Sequence, residues 1–304
     1  MPDICLAGTG GMLPLKNRYL TGCFIEYSGK AVLIDCGEGM QVALAAADIK
    51  ISRIEMILIT HNHADHVTGL PGLLLSMGNC SREEPLDIYI PESAERVVRN
   101  LISVCGHLPF EYRLHKLPDT AAVSFTAEKI DPMLTISTLP LKHSVKCLGY
   151  SFLLEKKAVF QPEKAQELEI PVKLWRMLHS GEAVILDDGR TIQPEEVTGD
   201  KRPPVKVTYI TDTLPIREIV QFANNADLFI CEGMYGDTDK KQSMNEKGHM
   251  LMQDACRLAK EANVKELWLT HYSPAEKHPE NYDKELKKLF PAVLISKDGE
   301  KKTL

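Results

Sequence analysis

Short apolar runs recur along the chain, and several stop abruptly at a histidine or an acid. Met56 to Ile59 is apolar and breaks at Thr60-His61. Leu134 to Leu139 alternates with period two and leads past Pro140 and Lys142 to His143. Val205 to Thr211 ends at Asp212, Leu228 to Cys231 at Glu232, and Glu266 to Thr270 at His271. Runs of this length and composition, bounded by turn residues, predict strands. Ile4 to Ala7 adds another, running into Gly8-Thr9-Gly10-Gly11. Cys23 to Tyr27 and Ala31 to Ile34 predict an antiparallel pair joined through Ser28-Gly29-Lys30. A further strand is predicted over Leu86 to Ile90. Helices fall between them: alanine-rich Met40 to Ala47, Leu70 to Met77, the amphipathic Ala94 to Val104, and Met250 to Ala262, which places His249 at or near a helix N-terminus. Strands and helices interleaved in this way predict an α/β protein. In such folds, groups at the ends of several strands converge on one site.

The pattern changes over residues 153–204, where Lys156-Lys157, Gln161-Pro162, Asp187-Asp188-Gly189-Arg190 and Arg202-Pro203-Pro204 punctuate short apolar pieces. This reads as an insertion or arm on one domain spanning 1–304. Leu174, Trp175, Met177 and Leu178 would either pack inside it or dock it on the body or on a second subunit. The segment holds eight Lys or Arg against ten Asp or Glu, a local charge of −2 in a chain of net charge −6. That balance does not advertise a nucleic-acid protein, nor does it exclude one, because a local basic patch or bound cations can attract phosphate. The eight cysteines are scattered without a Cys-x-x-Cys pair, which predicts reduced, mostly buried thiols. The N-terminus lacks a basic region followed by an apolar stretch, and no apolar run is long enough to span a bilayer, so a cytoplasmic location is expected.

The densest chemistry is His61-Asn62-His63-Ala64-Asp65-His66, directly after the apolar run. His61 and His63, two apart on extended backbone, face the same way, while Asp65 and His66 follow as the chain turns. Imidazoles and carboxylates together suit zinc or a similar divalent ion, manganese and iron included. With His143, Asp212 and His271 the set reaches seven groups, more than one tetrahedral ion takes, so two ions are expected. Of these groups a carboxylate bridges most easily, and Asp212 is the natural bridge. The glycine turn at Gly8 to Gly11 offers two readings, a phosphate cradle of backbone amides or a tight turn beside the site, the second preferred. Asp35 is read as a residue that holds the neighbouring loop or caps the next helix. Lys16, Arg18, His107 and His115 are read as solvated surface groups, and His179 and His278 receive no role.

The motif His61-x-His63-x-Asp65-His66 with His143, Asp212 and His271 resembles the metallo-β-lactamase superfamily along nearly the whole chain. Gly8-Thr9-Gly10-Gly11, Asp35-Cys36-Gly37-Glu38, Gly149-Tyr150-Ser151-Phe152, Asp212-Thr213 and Leu269-Thr270-His271-Tyr272-Ser273 further resemble the ribonuclease Z family, endonucleases that trim the 3′ end of transfer RNA. The resemblance implies an αβ/βα four-layer sandwich with two mixed sheets. It implies His61, His63 and His143 on one zinc, Asp65, His66 and His271 on the other, and Asp212 between them. It also implies Asp65, Glu232 and His249 as catalytic groups, with Asp65 orienting or deprotonating a metal-activated water and His249, held by Glu232, protonating the leaving ribose oxygen. Precursor transfer RNA and a homodimer follow as expected partners, with the arm of one subunit serving the other's site. Three stretches depart from that family's pattern: His249-Met250-Leu251 replaces His-Ser-Thr, Ser273-Pro274-Ala275-Glu276 brings no arginine soon after His271, and Ile170-Pro171-Val172-Lys173-Leu174-Trp175 stands where the family's arm carries a glycine–proline signature. The alternative is a metal-dependent phosphodiesterase of a small cyclic or nucleotide phosphodiester.

Overall fold

Ser28 and Gly29 both adopt left-handed backbone, φ 52° and 85°, the two-residue turn whose twist matches paired strands. They fold Gly22–Tyr27 onto Lys30–Ile34 in antiparallel register. From that hairpin the first sheet grows in both directions in the computed structural model, which describes residues 1–304. In chain order the strands are β1 (Asp3–Gly8), β2 (Gly22–Tyr27), β3 (Lys30–Ile34), β4 (Ile54–Leu58), β5 (Leu86–Pro91), β6 (Tyr112–Leu117), β7 (Ser124–Thr126), β8 (Leu134–Lys142) and β9 (Lys146–Leu154). They continue with β10 (Val184–Ile185), β11 (Thr191–Ile192), β12 (Val205–Ile210), β13 (Leu228–Glu232), β14 (Leu267–Thr270), β15 (Val293–Ile295) and β16 (Glu300–Thr303). One seven-stranded sheet has the order β16-β1-β2-β3-β4-β5-β6 and the other β15-β14-β13-β12-β9-β8-β7. Both are mixed. β3 to β6 are parallel and so are β12 to β15, while β16, β1, β2 and β3 pair antiparallel.

Strand composition explains the layering. On β3, Ala31 and Leu33 pack with Leu44, Leu70 and Val98 from the helices Met40–Ala46, Leu70–Asn79 and Glu95–Ser103. Val32 and Ile34 are equally buried but point to the opposite face, as the two-residue strand period requires. On β13, Phe229 and Cys231 pack with Ile219, Ala255 and Leu286 from the helices Glu218–Phe222, Met252–Glu261 and Asp283–Leu289. Each sheet thus buries one face under helices and the other against its partner sheet, the αβ/βα sandwich. Hydrogen bonds join the two sheets where β4 ends: Tyr150 Oη donates to Ile59 O at 2.6 Å and Leu148 N to Thr60 O at 2.9 Å. Burial on both faces is why β3, β4 and β13 read as continuous apolar runs.

Residues Leu154–Val205 form a second compact unit, distinct from Met1–Leu153 with Lys206–Leu304. Its own core joins Ala165, Ile170, Leu178, Val184, Ile192 and Val197, with Leu174 and Trp175 packed against them. Trp175 Nε1 donates to Ile170 O at 2.9 Å. Leu174, Trp175 and Leu178 therefore serve packing within this unit, whereas Met177 is 41% exposed. No helix is long and apolar enough to cross a membrane. Cys80 is the one exposed cysteine, and all eight are free thiols.

Two local expectations need correction. The helix after His249 begins at Met252, not Met250. Met250 and Leu251 are instead drawn alongside residues 234–235 by bonds from Met234 N to Met250 O and from Met252 N to Tyr235 O. His115 is not a solvated surface group: its Nε2 lies 2.7 Å from Asp87 Oδ1 and its ring stacks on Tyr89 at 4.4 Å. His107 is exposed, and exposed His278 pairs with Glu280.

Candidate metal centre

The site forms beyond the ends of strands from both sheets. β4 delivers His61 and His63 on extended backbone, and the short helix Ala64–Val67 then carries Asp65 and His66. β8 delivers His143, β12 Asp212, β13 Glu232 and β14 His271. Asp212 and His271 hold left-handed backbone at φ 51° and 59°, and Asp35 does so at 60°. Such conformations cost non-glycine residues energy and persist where the surroundings enforce them.

All seven candidate ligands meet. His61, His63, His143 and Asp212 form one group, and Asp65, His66 and His271 another, with ligand atoms in each within 4.8 Å of one another. Asp212 faces both: Oδ2 lies 3.6 Å from His61 Nε2 and from His143 Nε2, while Oδ1 lies 3.4 Å from His66 Nε2 and 3.2 Å from His271 Nε2. Within the groups, His63 Nδ1 and His143 Nε2 are 3.2 Å apart, as are His66 Nε2 and His271 Nε2. Two nitrogens bound tetrahedrally at zinc-like distances would stand ~3.4 Å apart. His61 Nε2 is buried without any hydrogen-bond partner, a costly arrangement for a polar atom unless a cation receives it. The donor set therefore fits divalent metal ions.

Electrostatics keep much of this set in ligand form. Burial, reinforced by neighbouring imidazoles, holds His61 well below the usual histidine range, and burial lowers His63 and His143 as well. These imidazoles are neutral at pH 7, as metal binding requires. Burial alone would raise Asp65 and Asp212. The surrounding histidines, led by His271, outweigh it and keep both carboxylates ionised.

A second ring of contacts orients the first. Asp35, fully buried, accepts from Thr60 N at 2.8 Å and lies 2.8 Å from His66 Nδ1, while Thr60 Oγ1 reaches His61 Nδ1 at 3.0 Å. Asp35 thus holds the loop, as anticipated, and caps no helix: the following helix is preceded by Gly39 without a side-chain cap. His143 Nδ1 meets Gly248 O at 2.9 Å. Glu232 accepts from Thr213 N and lies 2.9 Å from His249 Nδ1. Burial would lower His249, but the charge and hydrogen bond of Glu232 raise it to about 9.

The glycine turn is not a phosphate cradle, because its amides are already engaged. Thr9 N donates to Asp298 Oδ1, Gly10 N to Tyr19 O, Gly11 N to Tyr272 O and Met12 N to Asp65 Oδ2 at 2.6 Å. Arg18 is likewise not a solvated charge. Its guanidinium donates to Ser273 O and Glu276 O and lies over the Tyr272 ring at 5.3 Å. A cavity of about 300 Å³ opens over the cluster, lined also by Met12, Ser144, Met234, Tyr235, Met244 and Lys247. None of these carries a motif spacing that would have marked it in the sequence.

Solved structures share this architecture. Human tRNase Z, short form, superposes with a TM-score of 0.68 at 22% identity, covering 99% of this chain and 98% of that one. The metallo-β-lactamase fold protein YhfI from Bacillus subtilis gives 0.68 at 21%, covering 99% and 98%. Fold and site together define a metal-dependent hydrolase of the metallo-β-lactamase fold. The chain is 41% identical over 304 residues to ribonuclease Z of Lachnoclostridium phytofermentans, covering 100% of this chain and 98% of that one, and 42% identical over 300 residues to ribonuclease Z of Clostridium acetobutylicum, covering 98% and 96%. A family model described as anti-Pycsar protein Apyc1 matches residues 2–198. The chain belongs to the ribonuclease Z family and, through residues 2–198, to the family of that model.

Proposed function

We propose that this protein removes the 3′ trailer of precursor transfer RNA by hydrolysis of one phosphodiester, using two divalent ions, with zinc as the metal. The observation that carries the reading is Asp212, whose two oxygens face the two ligand groups separately. His61, His63 and His143 would hold one ion, Asp65, His66 and His271 the other, and Asp212 both. When bound, such a pair supplies charge neutralisation at the phosphoryl oxygens and a water acidic enough to ionise near neutral pH.

The chain's own groups supply the rest. Asp65 Oδ2, fixed by the Met12 amide at 2.6 Å, orients the attacking water by accepting its hydrogen bond. His249 lines the cavity, is protonated at neutral pH, and is held through Nδ1 by buried Glu232. It donates its proton to the departing 3′ oxygen, and Glu232 steadies the charge on the ring. The cytoplasm, where precursor transfer RNA is met, is the proposed location. A homodimer is the proposed assembly, checked by sedimentation of the purified protein.

The deciding experiment is cleavage of a 3′-extended precursor transfer RNA by the zinc-loaded protein, run beside bis-(p-nitrophenyl) phosphate. Cutting after the discriminator base establishes the reading, and turnover of the small diester alone rejects it. That second outcome would favour a small phosphodiester as substrate, the choice suggested by a charge of −2 over residues 153–204, since an RNA clamp gains from the opposite sign.

A further inference from the structure

The family's substrate is a polyanion, yet the chain carries a net charge of −6 and lacks the arginine after His271. The cavity over the cluster shows where a cation is kept. Apart from histidines, its lining contains a single basic residue, Lys247, among the apolar or aromatic Met12, Met234, Tyr235 and Met244. Lys247 is exposed and makes no ion pair, whereas Lys241 at the start of the same helix reaches Asp254 Oδ1 at 3.7 Å. An unpaired lysine adds little to folding, so its placement at the mouth of the site calls for another reason.

The backbone around it is fixed to the candidate ligand His143. The helix Lys241–Lys247 ends on Gly248, left-handed at φ 75°. The Gly248 carbonyl meets His143 Nδ1 at 2.9 Å, and a Cβ at Gly248 would lie 3.0 Å from His143 Cα and Nδ1. Residue 249 is the histidine held by Glu232. Lys247 therefore starts one residue from the contact that orients a metal ligand and two residues from the proton donor. Its flexible stem ends in a compact charge suited to a phosphate oxygen. In the nuclease reading the scissile phosphate would be met by the ions that the ligand groups hold, which leaves this cation free for a neighbouring one.

We propose that Lys247 grips the phosphate next to the one being cleaved, and so selects a polynucleotide over an isolated diester. The inference rests on the nuclease reading above. The test compares parent, Lys247→Ala and Lys247→Arg, each metal-loaded and with circular dichroism matched to the parent. Substrates are a 3′-extended precursor transfer RNA and bis-(p-nitrophenyl) phosphate, over a range of salt. Loss of one phosphate contact raises KM for RNA ~10-fold with kcat within about twofold. It also flattens the slope of log kcat/KM against log salt by ~0.7–0.9. The ratio of kcat/KM between RNA and the small diester falls ~10-fold, and arginine restores most of it. Equal losses on both substrates, an unchanged salt slope, or an unaffected Lys247→Ala would each overturn the proposal while leaving the nuclease reading intact. A parent that cleaves no RNA removes that reading, and the proposal with it.

Discussion

Gly11→Ala tests how the first strand's turn controls the metal cluster. A Cβ at position 11 would lie 2.5 Å from His271 Cε1, 2.7 Å from Nε2 and 2.9 Å from Nδ1, where ordinary contact begins at 3.4 Å. Ring or backbone must therefore yield about 0.9 Å, the difference between 3.4 and 2.5 Å. Neither moves cheaply. Gly11 N donates to Tyr272 O at 3.0 Å, Tyr272 N donates to Thr9 O at 2.9 Å, and His271 is 1% exposed. Metal–ligand distances tolerate only ~0.2 Å, so the displacement would fall on the ion that the proposed function assigns to Asp65, His66 and His271. Overpacking of this kind costs ~1–3 kcal/mol, which corresponds to a loss of about 5- to 150-fold in affinity for that ion. Metal content after dialysis, measured by plasma mass spectrometry alongside far-ultraviolet circular dichroism, should show a folded variant that loses about one ion per chain relative to the parent. An ion at the other proposed position, His61, His63 and His143, should be kept. A variant with the parent's metal content, metal affinity and hydrolytic rate would refute the reasoning.

Asp212→Ala should lower hydrolysis by more than ~10²-fold and reduce metal content at both positions; a variant retaining both ions would contradict the bridging assignment. Asp35→Ala leaves the Thr60 amide and His66 Nδ1 without their buried partner, and should cost ~3–5 kcal/mol in denaturant unfolding. With His249 raised to about 9, the proton-donating form is present below that pH and lost above it. The rate should therefore fall as pH rises through about 9, and this alkaline limb should be missing from the residual activity of His249→Ala. Chelation should lower the melting temperature of the parent, because ions bound only by the folded chain at ~1,000 times their Kd contribute ~4 kcal/mol. An unchanged melting temperature after verified metal removal would count against a resident metal.

Much of the centre was legible in the chain itself. β13 and β14 are buried on both faces and read as unbroken apolar runs that stop at Glu232 and His271, while β8 is buried on one face, alternates, and leads past Lys142 to His143. His61, His63, Asp65, His66, His143, Asp212 and His271 are thus announced by position as well as by type. The tertiary structure alone decided what acts on them. Met12 meets Asp65 from 53 residues away through a backbone amide, and an amide leaves no trace in residue identity. Gly11 matters because of the space His271 occupies, Gly248 because of where its carbonyl lies, and Lys247 because a helix ends beside His143. Arg18 and His115 looked like surface charges because their partners, the carbonyls of Ser273 and Glu276 and the carboxylate of Asp87, are distant in sequence. The helix after His249 starts late for the same reason, since pairing with residues 234–235 outweighs local helical preference. Short-range periodicity determines which side chains a strand presents and where it stops. The partners of backbone groups and unpatterned charges are set only when distant strands are brought end to end.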